Sequence, residues 1–322
     1  MASEGSIKGQ SAQEAVEHTT VLLDEAVDAL LIDPAGLYVD GTFGRGGHSA
    51  QLLGRLSDQG SLIAIDKDPQ AIEAGEAKFS QDSRIALVHG TFADLTSIVS
   101  KMDRTGDVSG VLLDLGVSSP QLDQAERGFS FLRDGPLDMR MDTSKGLSAA
   151  EWIADADEQE IARVIKEYGE ERFARRRARA VITARAKSPI LRTVQLANIL
   201  AAAHPAWERG RHPATKAFQA IRIFINRELD DLEDLLGQVI DTLKVGGRLV
   251  VISFHSLEDR RVKRFIRDQE QGIKLPKNLP VRDVDRGVRL VKVGKAIKPT
   301  QDEVGGNVRS RSAVMRVAER VA

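Results

Sequence analysis

The chain contains no cysteine among its 322 residues, which excludes disulfides, thiolate metal sites and any mechanism that needs a sulfur nucleophile. It contains no run of about 18 apolar residues that would cross a membrane, and no signal-peptide core near its start. It also lacks an excess of positive charge, because 46 Lys and Arg balance 47 Asp and Glu. We therefore expect a cytoplasmic protein in which any nucleic-acid surface is local, with a disordered polar tail at residues 1–17.

Short apolar runs separated by helix-length segments indicate an α/β fold with a parallel sheet. Two further apolar runs in the last third of the chain predict strands that complete the sheet. In chain order, the predicted strands are Leu37–Val39, Leu62–Ile65, Ile85–Val88, Val111–Leu113, Arg248–Phe254 and Ser312–Val317.

The stretch from Leu147 to Pro213 has only helical periodicity, so we interpret it as an insertion. Ser148 and Glu151 have the spacing of a capping box at a helix start. Apolar positions from Phe218 to Leu236 predict one long helix that begins near Thr215 and leads back to the sheet.

A glycine-rich turn, Asp40–Ser49, follows the first strand and indicates a ligand site, because glycines let the backbone approach a ligand closely. Asp66 ends the second strand, where a carboxylate can accept hydrogen bonds from both ribose hydroxyls of an adenosine. Ser49 stands where the dinucleotide fingerprint would need a third glycine, and Asp40 would repel a phosphate while favouring a sulfonium. S-adenosylmethionine is therefore favoured over NAD, although a nucleotide-dependent oxidoreductase stays open as an alternative.

The segment Asp114–Asp123, which we call the transfer segment, follows the fourth strand. It lies at the edge of the sheet where ligands bind, so the reacting group of a ligand should face it, at what we call the transfer site. An exocyclic cytosine or adenine amine needs acceptors that draw its protons aside, and this polar turn offers carboxylate, hydroxyl and carbonyl oxygens. The absence of thiols excludes the covalent route to C5 methylation of a pyrimidine.

Two stretches, Arg172–Arg192 and Arg260–Lys298, carry a local surplus of basic residues that favours RNA over a merely solvated helix face. Phe129 and Phe131 lie near the transfer segment and either stack on a base or anchor the loop to the core. His255 follows the fifth sheet strand, where Ser256 and Asp259 have capping-box spacing. Because His255 lacks an evident cluster of ligand partners, we predict no metal.

Six long motifs make the chain resemble the bacterial 16S ribosomal RNA cytosine-N4 methyltransferases, and the match runs from His18 to Arg316. The motifs are DGTFGRGGHS at Asp40, LLDLGVSSPQLD at Leu112, ERGFSFLRDGPLDMRMD at Glu126, YGEERFA at Tyr168, HPATKAFQAIRI at His212 and ISFHSLEDRRVKRF at Ile252. The resemblance implies S-adenosyl-L-methionine as cofactor and methylation of cytidine 1402 in 16S ribosomal RNA, with the assembled small subunit as substrate. A non-catalytic ribosome-assembly factor is a further alternative, and the oligomeric state is open.

The resemblance also implies a Rossmann-like class I methyltransferase fold split by an all-helical insertion. The methyltransferase domain would comprise residues 18–125 and 215–322, and residues 126–214 would form an RNA-recognition domain. The implied cofactor contacts are Gly46, Gly47, His48, Asp66, Phe92, Asp114 and Gln121. The candidates for activating the amine are Asp114, Ser118, Ser119 and the Pro120 carbonyl, and the RNA contacts expected are Phe129, Phe131, Arg175, Arg176, Arg177, Arg179 and His255.

Overall fold

The computed structural model describes residues 20–205, 212–272 and 287–322. The tail predicted at residues 1–17 lies outside the described residues, and so does the middle of the basic stretch between Arg260 and Lys298. Within the described ranges, no helix is both long and apolar enough to pass through a bilayer.

Seven strands of the described chain form one sheet in the spatial order β3-β2-β1-β4-β5-β7-β6. The strands are β1 Leu37–Asp40, β2 Ser61–Asp66, β3 Ile85–His89, β4 Val108–Asp114, β5 Leu243–Ser253, β6 Leu290–Lys292 and β7 Val314–Arg320. The first five run parallel, and β7 pairs antiparallel with β5 and β6. A mixed sheet with this parallel core is typical of class I methyltransferases, which confirms the predicted fold class. The short strand β6 had not been predicted.

Alternating side chains of the central strands let one sheet serve two apolar layers. Val111 and Leu113 of β4 belong to one core cluster, whereas Leu112 belongs to the cluster on the opposite face. Val39 and Tyr38 of β1 divide in the same way. Because both faces are covered, these strands appear in the sequence as continuous apolar runs rather than as alternating ones.

Helices cover both faces of the sheet. The first face carries α4 (Leu95–Ser100), α11 (Glu228–Thr242) and α12 (Ser256–Gln271), and the second carries α1 (Leu23–Leu30) and α2 (Gly47–Leu53). Three shorter or peripheral helices complete this part of the molecule: α3 (Pro69–Phe79), α5 (Ser119–Asp123) and α13 (Gln301–Gly306).

The predicted insertion is helical and has an apolar core of its own. Its helices are α6 Ala149–Asp155, α7 Glu158–Gly169, α8 Ala174–Arg185 and α9 Thr193–Ala202, and α10 Thr215–Ile225 follows. The capping box is confirmed, since the Ser148 N–H donates to Glu151 at 2.8 Å and the Glu151 N–H donates to Ser148 Oγ at 3.2 Å. The domain division at residue 214 stays a prediction, and Phe218 and Ile221 of α10 pack into the helical core.

The prediction of one long helix after Thr215 is wrong, because the chain breaks between α10 and α11. Arg227 has a φ of 52°, a left-handed conformation that ends a right-handed helix. The Lys67 ammonium donates to the Asn226 carbonyl at 2.7 Å, so the break is fixed to the loop after β2. The apolar period continues across it, which is why periodicity alone missed the break.

Arg177 is a correction to the predicted RNA surface, because its side chain is fully buried in the helical core. Its guanidinium lies 3.2 Å from Glu171, which is itself 5% exposed. The buried positions of α8 are Ala174, Arg177, Ala178 and Val181, the spacing of one helix face. Arg177 therefore has a structural role, while Arg175 and Arg176 on the same helix are exposed.

We predict that Arg177→Ala lowers the free energy of unfolding by about 3–5 kcal/mol, because it leaves the Glu171 carboxylate buried without its partner. Urea denaturation followed by circular dichroism measures the change. Arg175→Ala is the matched control on the same helix and should shift the free energy by less than about 0.5 kcal/mol. Equal effects of the two substitutions would contradict the structural role.

Candidate active site

A cavity lies at the edge of the sheet where the parallel strands β1, β2 and β4 end, the place where open α/β sheets bind ligands. The glycine turn supplies residues 41–45, 47 and 48, and the ends of the next strands supply Asp66 and Asp114. Phe92 and Gln121 also line it. Of the predicted cofactor contacts, only Gly46 is not part of the lining.

Two glycines of the turn are required by close packing. Gly46 has a φ of 67°, and a Cβ there would come within 2.7 Å of the Phe43 ring and 2.9 Å of Phe79. A Cβ at Gly47 would overlap the side chain of Thr20. The turn is therefore pressed against its neighbours on one side and faces the cavity on the other.

Asp66 holds the turn through its carboxylate. It accepts the N–H of Gly44 at 2.7 Å and the N–H of Asp68 at 2.8 Å. Burial raises the pKa of Asp66 to about 6 despite these hydrogen bonds. Each carboxylate oxygen keeps a further lone pair, so Asp66 can still accept hydrogen bonds from a ligand.

Asp114 presents an unsatisfied acceptor at the cavity. Its Oδ1 is buried and has no hydrogen-bond partner among the described residues, and its Oδ2 lies 3.8 Å from His48 Nδ1. Burial raises the pKa of Asp114 well above its usual value, and the negative charges of Asp40 and Glu258 add to the effect. A buried acceptor left empty in this way marks a position where a ligand donor is needed.

Asp40 does not line the cavity, contrary to the sequence-based expectation that it faces a sulfonium. It is 1% exposed and is not among the lining residues. Its carboxylate accepts from Ser49 Oγ at 2.6 Å and from the Thr42 N–H at 3.1 Å. Its charge still reaches the site, because it raises the pKa values of both Asp66 and Asp114.

A buried network joins the cofactor loops to the entrance of the helical insertion. Asp68 Oδ2 accepts from Gln121 Nε2 at 2.9 Å and from Arg127 Nη1 at 2.8 Å. Arg127 also donates to the Arg140 and Met141 carbonyls at 3.3 and 3.0 Å. The Gln121 side chain, predicted as a cofactor contact, is therefore oriented by Asp68 as well as lining the cavity.

In the transfer segment, the Pro120 carbonyl is not available to accept a hydrogen bond from the cytosine amine. The Pro120 carbonyl accepts the Gln124 N–H at 2.9 Å, and Pro120 is absent from the cavity lining. Ser118 begins α5 with its N–H donated to Gln121 Oε1 at 3.0 Å, and Ser119 Oγ accepts from Arg309. Among the four candidates, Asp114 is the one with a buried, unused acceptor.

Comparison of the sequence with models of protein families identifies the family of this chain. The model of the MraW methylase family matches residues 15–321, nearly the whole chain. The chain belongs to the MraW methylase family.

Relatives of the family match over almost their full length. Ribosomal RNA small subunit methyltransferase H of Alteromonas mediterranea is 56% identical over 307 residues, covering 95% of this chain and 98% of the relative. The protein of the same name from Chromohalobacter salexigens is 58% identical over 305 residues, covering 94% of this chain and 92% of the relative. The family indicated by the six sequence motifs is confirmed, and membership of a methylase family excludes the oxidoreductase alternative.

In this MraW methylase, Phe129 and Phe131, for which both stacking on RNA and anchoring of the loop were open, pack against other side chains of the protein. Phe129 is 6% exposed, with the Arg127 guanidinium 5.8 Å from its ring centroid. The Phe131 ring packs against those of His212 and Phe218, at centroid distances of 4.6 and 4.7 Å. The assignment of Phe129 to RNA is corrected, because its ring is buried, whereas Phe131 is half-buried and its assignment to RNA stays a prediction.

Several arginines of the basic stretch Arg172–Arg192 are engaged in contacts within the protein. Arg179 lies 3.5 Å from Glu158, and Arg185 donates to the carbonyls of Ile153 in α6 and of Ala156 at the end of α6. Arg192 binds Asp134 at 2.5 Å. Among the described residues, Arg175 and Arg176 have no paired carboxylate, so they stay candidates for RNA.

His255, another predicted RNA contact, begins α12, so the capping box predicted at Ser256 is wrong by one residue. Glu258 accepts the N–H groups of Phe254 and His255 at 2.9 and 3.2 Å, and His255 Nδ1 accepts the Glu258 N–H at 3.4 Å. The smaller hydroxyl of Ser256 instead donates to Glu170 at 2.6 Å. His255 therefore has a structural role at the helix start.

The expectation that His255 has no cluster of ligand partners is wrong. One ligand atom each of Glu228, His255 and Glu258 lies within 4.8 Å of the others. Arg222, however, binds both oxygens of Glu228, each at 2.7 Å. The guanidinium thus supplies positive charge to this cluster, and we do not assign a metal to it.

Several lining residues were missed by sequence reasoning. They come from distant parts of the chain: Thr20, Val21, Met141, Glu228, Glu258, Asn307 and Arg309. The motifs at Glu126 and Ile252 contain Met141 and Glu258, so their length was a signal, although neither residue type indicated a role.

Asn226, at the break between α10 and α11, fixes the wall of the cavity near Met141. Its Oδ1 accepts the Met141 N–H at 2.7 Å, and its Nδ2 donates to the Met139 carbonyl at 2.7 Å. Met139 has a φ of 65°, a strained conformation for a residue with a side chain. These two hydrogen bonds hold the strained segment in place.

We predict that Asn226→Ala lowers the free energy of unfolding by about 1–3 kcal/mol, because it leaves the Met141 N–H without an acceptor. Hydrogen exchange should also become faster at the Met139 and Met141 amides. Urea titration and exchange mass spectrometry measure the two effects. The exposed Asn198→Ala on α9 is the control, and indistinguishable results for the two variants would refute the assignment.

Proposed function

We propose that the protein transfers the methyl group of S-adenosylmethionine to N4 of cytidine 1402 in 16S ribosomal RNA. The observation that carries the proposal is the meeting of the glycine turn, Asp66 and Asp114 in one cavity of a methylase-family chain. The relatives' common name, ribosomal RNA small subunit methyltransferase H, supports small-subunit ribosomal RNA as the substrate.

The residues around the cavity fit a cationic adenosine ligand. Asp40 is buried and Asp66 and Asp114 are half-buried at the ends of three neighbouring strands, and the pKa values of all three are raised. A sulfonium and an ammonium relieve the repulsion among these carboxylates, whereas a pyrophosphate would increase it. Asp66 would hold the ribose, Phe92 would border the adenine, and Asp114 and Gln121 would lie beside the methionyl part. Gly47 and His48 would contact the cofactor from the glycine turn, which Gly46 shapes without lining the cavity.

The chain's own contribution to methyl transfer centres on Asp114. When bound, S-adenosylmethionine supplies a methyl group on a sulfonium, which leaves as a neutral thioether. The free Oδ1 of Asp114 is suited to accept a hydrogen bond from the cytosine amine and so to orient its nitrogen. The raised pKa makes the Asp114 carboxylate a stronger base than an exposed one, which suits it to receive the proton that the amine loses.

The helical insertion carries the exposed arginines that would bind the RNA. Arg175 and Arg176 project from α8 without carboxylate partners among the described residues, and Arg179 is exposed beside Glu158. Such side chains bind the phosphates of structured RNA without reading its sequence. We propose the assembled small subunit as the substrate, which places the reaction in the cytoplasm.

We predict that binding of S-adenosylhomocysteine depends on pH through Asp66. Its carboxyl has a pKa of about 6 in the folded protein, so it is ionised above that pH and protonated below it. If the ribose binds the ionised form, affinity is constant above about pH 6 and falls about tenfold for each unit below it. Calorimetric titration between pH 5 and 8 measures this profile.

Asp66→Asn should weaken binding at pH 8 by about 1.5–3 kcal/mol and remove the inflection near pH 6, because the amide does not titrate. The exposed Asp58→Asn is the control and should keep the wild-type profile. An inflection that persists in Asp66→Asn would assign the titration to another group and refute the role of Asp66.

The methylation itself is tested by mass mapping of small-subunit RNA from cells with and without the gene. We predict one methyl group fewer at cytidine 1402 without the gene, restored by the wild-type chain. With purified enzyme and unmethylated subunits, Asp114→Asn should lower kcat by about 10²–10⁴-fold, because the proton acceptor is lost.

Ser119→Ala is the matched control in the transfer segment and should retain kcat within a few-fold, since its hydroxyl is occupied by Arg309. RNA of unchanged mass, together with binding of the protein to subunits, would instead identify a non-catalytic assembly factor.

A further inference from the structure

A second cavity lies between the helical insertion and the carboxyl end of β5, and it shares only Phe254 with the lining of the cofactor cavity. Its volume is about 490 Å³, within the range of sites that hold small ligands. The lining residues are Tyr168, Gly169, Glu170, Lys216, Gln219, Ser253, Phe254, His255, Ser256, Leu257, Asp259, Ser312 and Val314.

Three long sequence motifs meet at this second cavity, and the one that starts at Ile252 also lines the cofactor cavity, whereas the other two do not. The motif that starts at Tyr168 supplies the end of α7, and the motif that starts at His212 supplies Lys216 and Gln219 of α10. Neither motif contributes a residue to the cofactor cavity. The residues they bring together therefore call for a separate explanation.

The charges around the second cavity are unequally paired. Glu170 accepts from Ser256 at 2.6 Å and from Arg260 at 3.0 Å, and both oxygens of Asp259 bind Arg316, at 2.6 and 3.0 Å. Lys216, in contrast, forms no ion pair with a described carboxylate. The charge of Lys216 helps to lower the pKa of Glu170, but both carboxylates already have closer arginine partners, so the ammonium can still attract an anion.

Polar and aromatic groups accompany that ammonium. The Gln219 side chain makes no hydrogen bond to any other described residue, so its amide can both donate and accept. The rings of Tyr168 and Phe254 are half-buried in the lining. A cation, a free amide and aromatic faces are the groups with which proteins bind a single-stranded nucleotide.

The second cavity is next to the transfer site. Asp114 of β4 pairs in register with Ile252 of β5, two residues before Phe254. Phe254 lines both cavities, and neighbouring strands are about 4.8 Å apart. A chain that places one unit at Asp114 can therefore place the next unit in the second cavity.

We propose that the second cavity binds the nucleotide adjacent to the methylated cytidine, with Lys216 contacting its phosphate and Gln219 its base. The proposal rests on the proposed function, because it needs RNA at the transfer site. Its role is to hold the RNA strand in an unstacked path, so that the target amine reaches Asp114.

Lys216→Met tests the phosphate contact, because it removes the charge and keeps the length of the side chain. With unmethylated small subunits as substrate, we expect KM to rise about tenfold. The slope of log affinity against log salt concentration should become shallower by about 0.7, the value for one phosphate contact on a single strand. The affinity for S-adenosylhomocysteine should be unchanged.

Lys166→Met is the matched control, since Lys166 is exposed on α7 and lines neither cavity. If the wild-type enzyme methylates subunits and Lys216→Met behaves as Lys166→Met does, this proposal is overturned while the proposed function stands. If the wild-type enzyme leaves subunits unmethylated, the proposed function itself fails.

A photo-crosslinking amino acid at position 219 tests the occupant directly. On unmethylated subunits, we expect crosslinks to RNA within about two nucleotides of the methylated cytidine. The same amino acid at position 166 serves as the control. Crosslinks from position 219 to a ribosomal protein, or to RNA far from that cytidine, would overturn the proposal.

Discussion

The buried carboxylate of Asp68 links the three parts of the molecule on which the site depends. It begins α3 by accepting the Gln70 N–H at 3.0 Å, and it receives both Gln121 from the transfer segment and Arg127 from the entrance to the insertion. Asp68 and Arg127 are each 5% exposed at the side chain, so neither is satisfied by bulk water. Because removing either partner leaves a buried charge, the pair ties the position of the helical insertion to the end of β2.

Close to Asp68, several carboxylates lie together at the carboxyl edge of the sheet, where they repel one another. Three parallel strands end in aspartates, and burial raises the pKa of each. Asp40 satisfies its oxygens within the protein, whereas Asp114 keeps one oxygen without a partner among the described residues. Repulsion among these carboxylates is energetically unfavourable, and a cationic ligand relieves it, which couples ligand binding to the stability of this edge.

The sequence was sufficient for the parts of the structure that depend on local pattern. Buried parallel strands appear as apolar runs, so Asp66 and Asp114 were found because they end such runs. It was insufficient where the partner arrives from far along the chain, as Glu258 and Arg309 do at the cavity. The burial of Arg177 could have been predicted from the sequence, because Ala174, Ala178 and Val181 lie on the same face of α8. The number of charges in the segment does not show this periodicity. Phe129 and Phe131 had two equal interpretations, and only the burial of Phe129 beside Arg127 distinguishes them for that residue.

The contacts of the arginines in the stretch Arg172–Arg192 limit how a chain of nearly zero net charge can bind RNA. Arg177 is buried, Arg185 binds backbone carbonyls and Arg192 pairs with Asp134, so three of its cations are committed to holding the insertion together. Few phosphate contacts are then available on α8, and few contacts imply a modest dependence of affinity on salt. With few cations available on α8, the proposed recognition relies there on the shape of the folded RNA and on pockets that receive individual nucleotides. The second cavity, which lies between the carboxyl end of β5 and the helical insertion, would supply one such pocket beside Asp114.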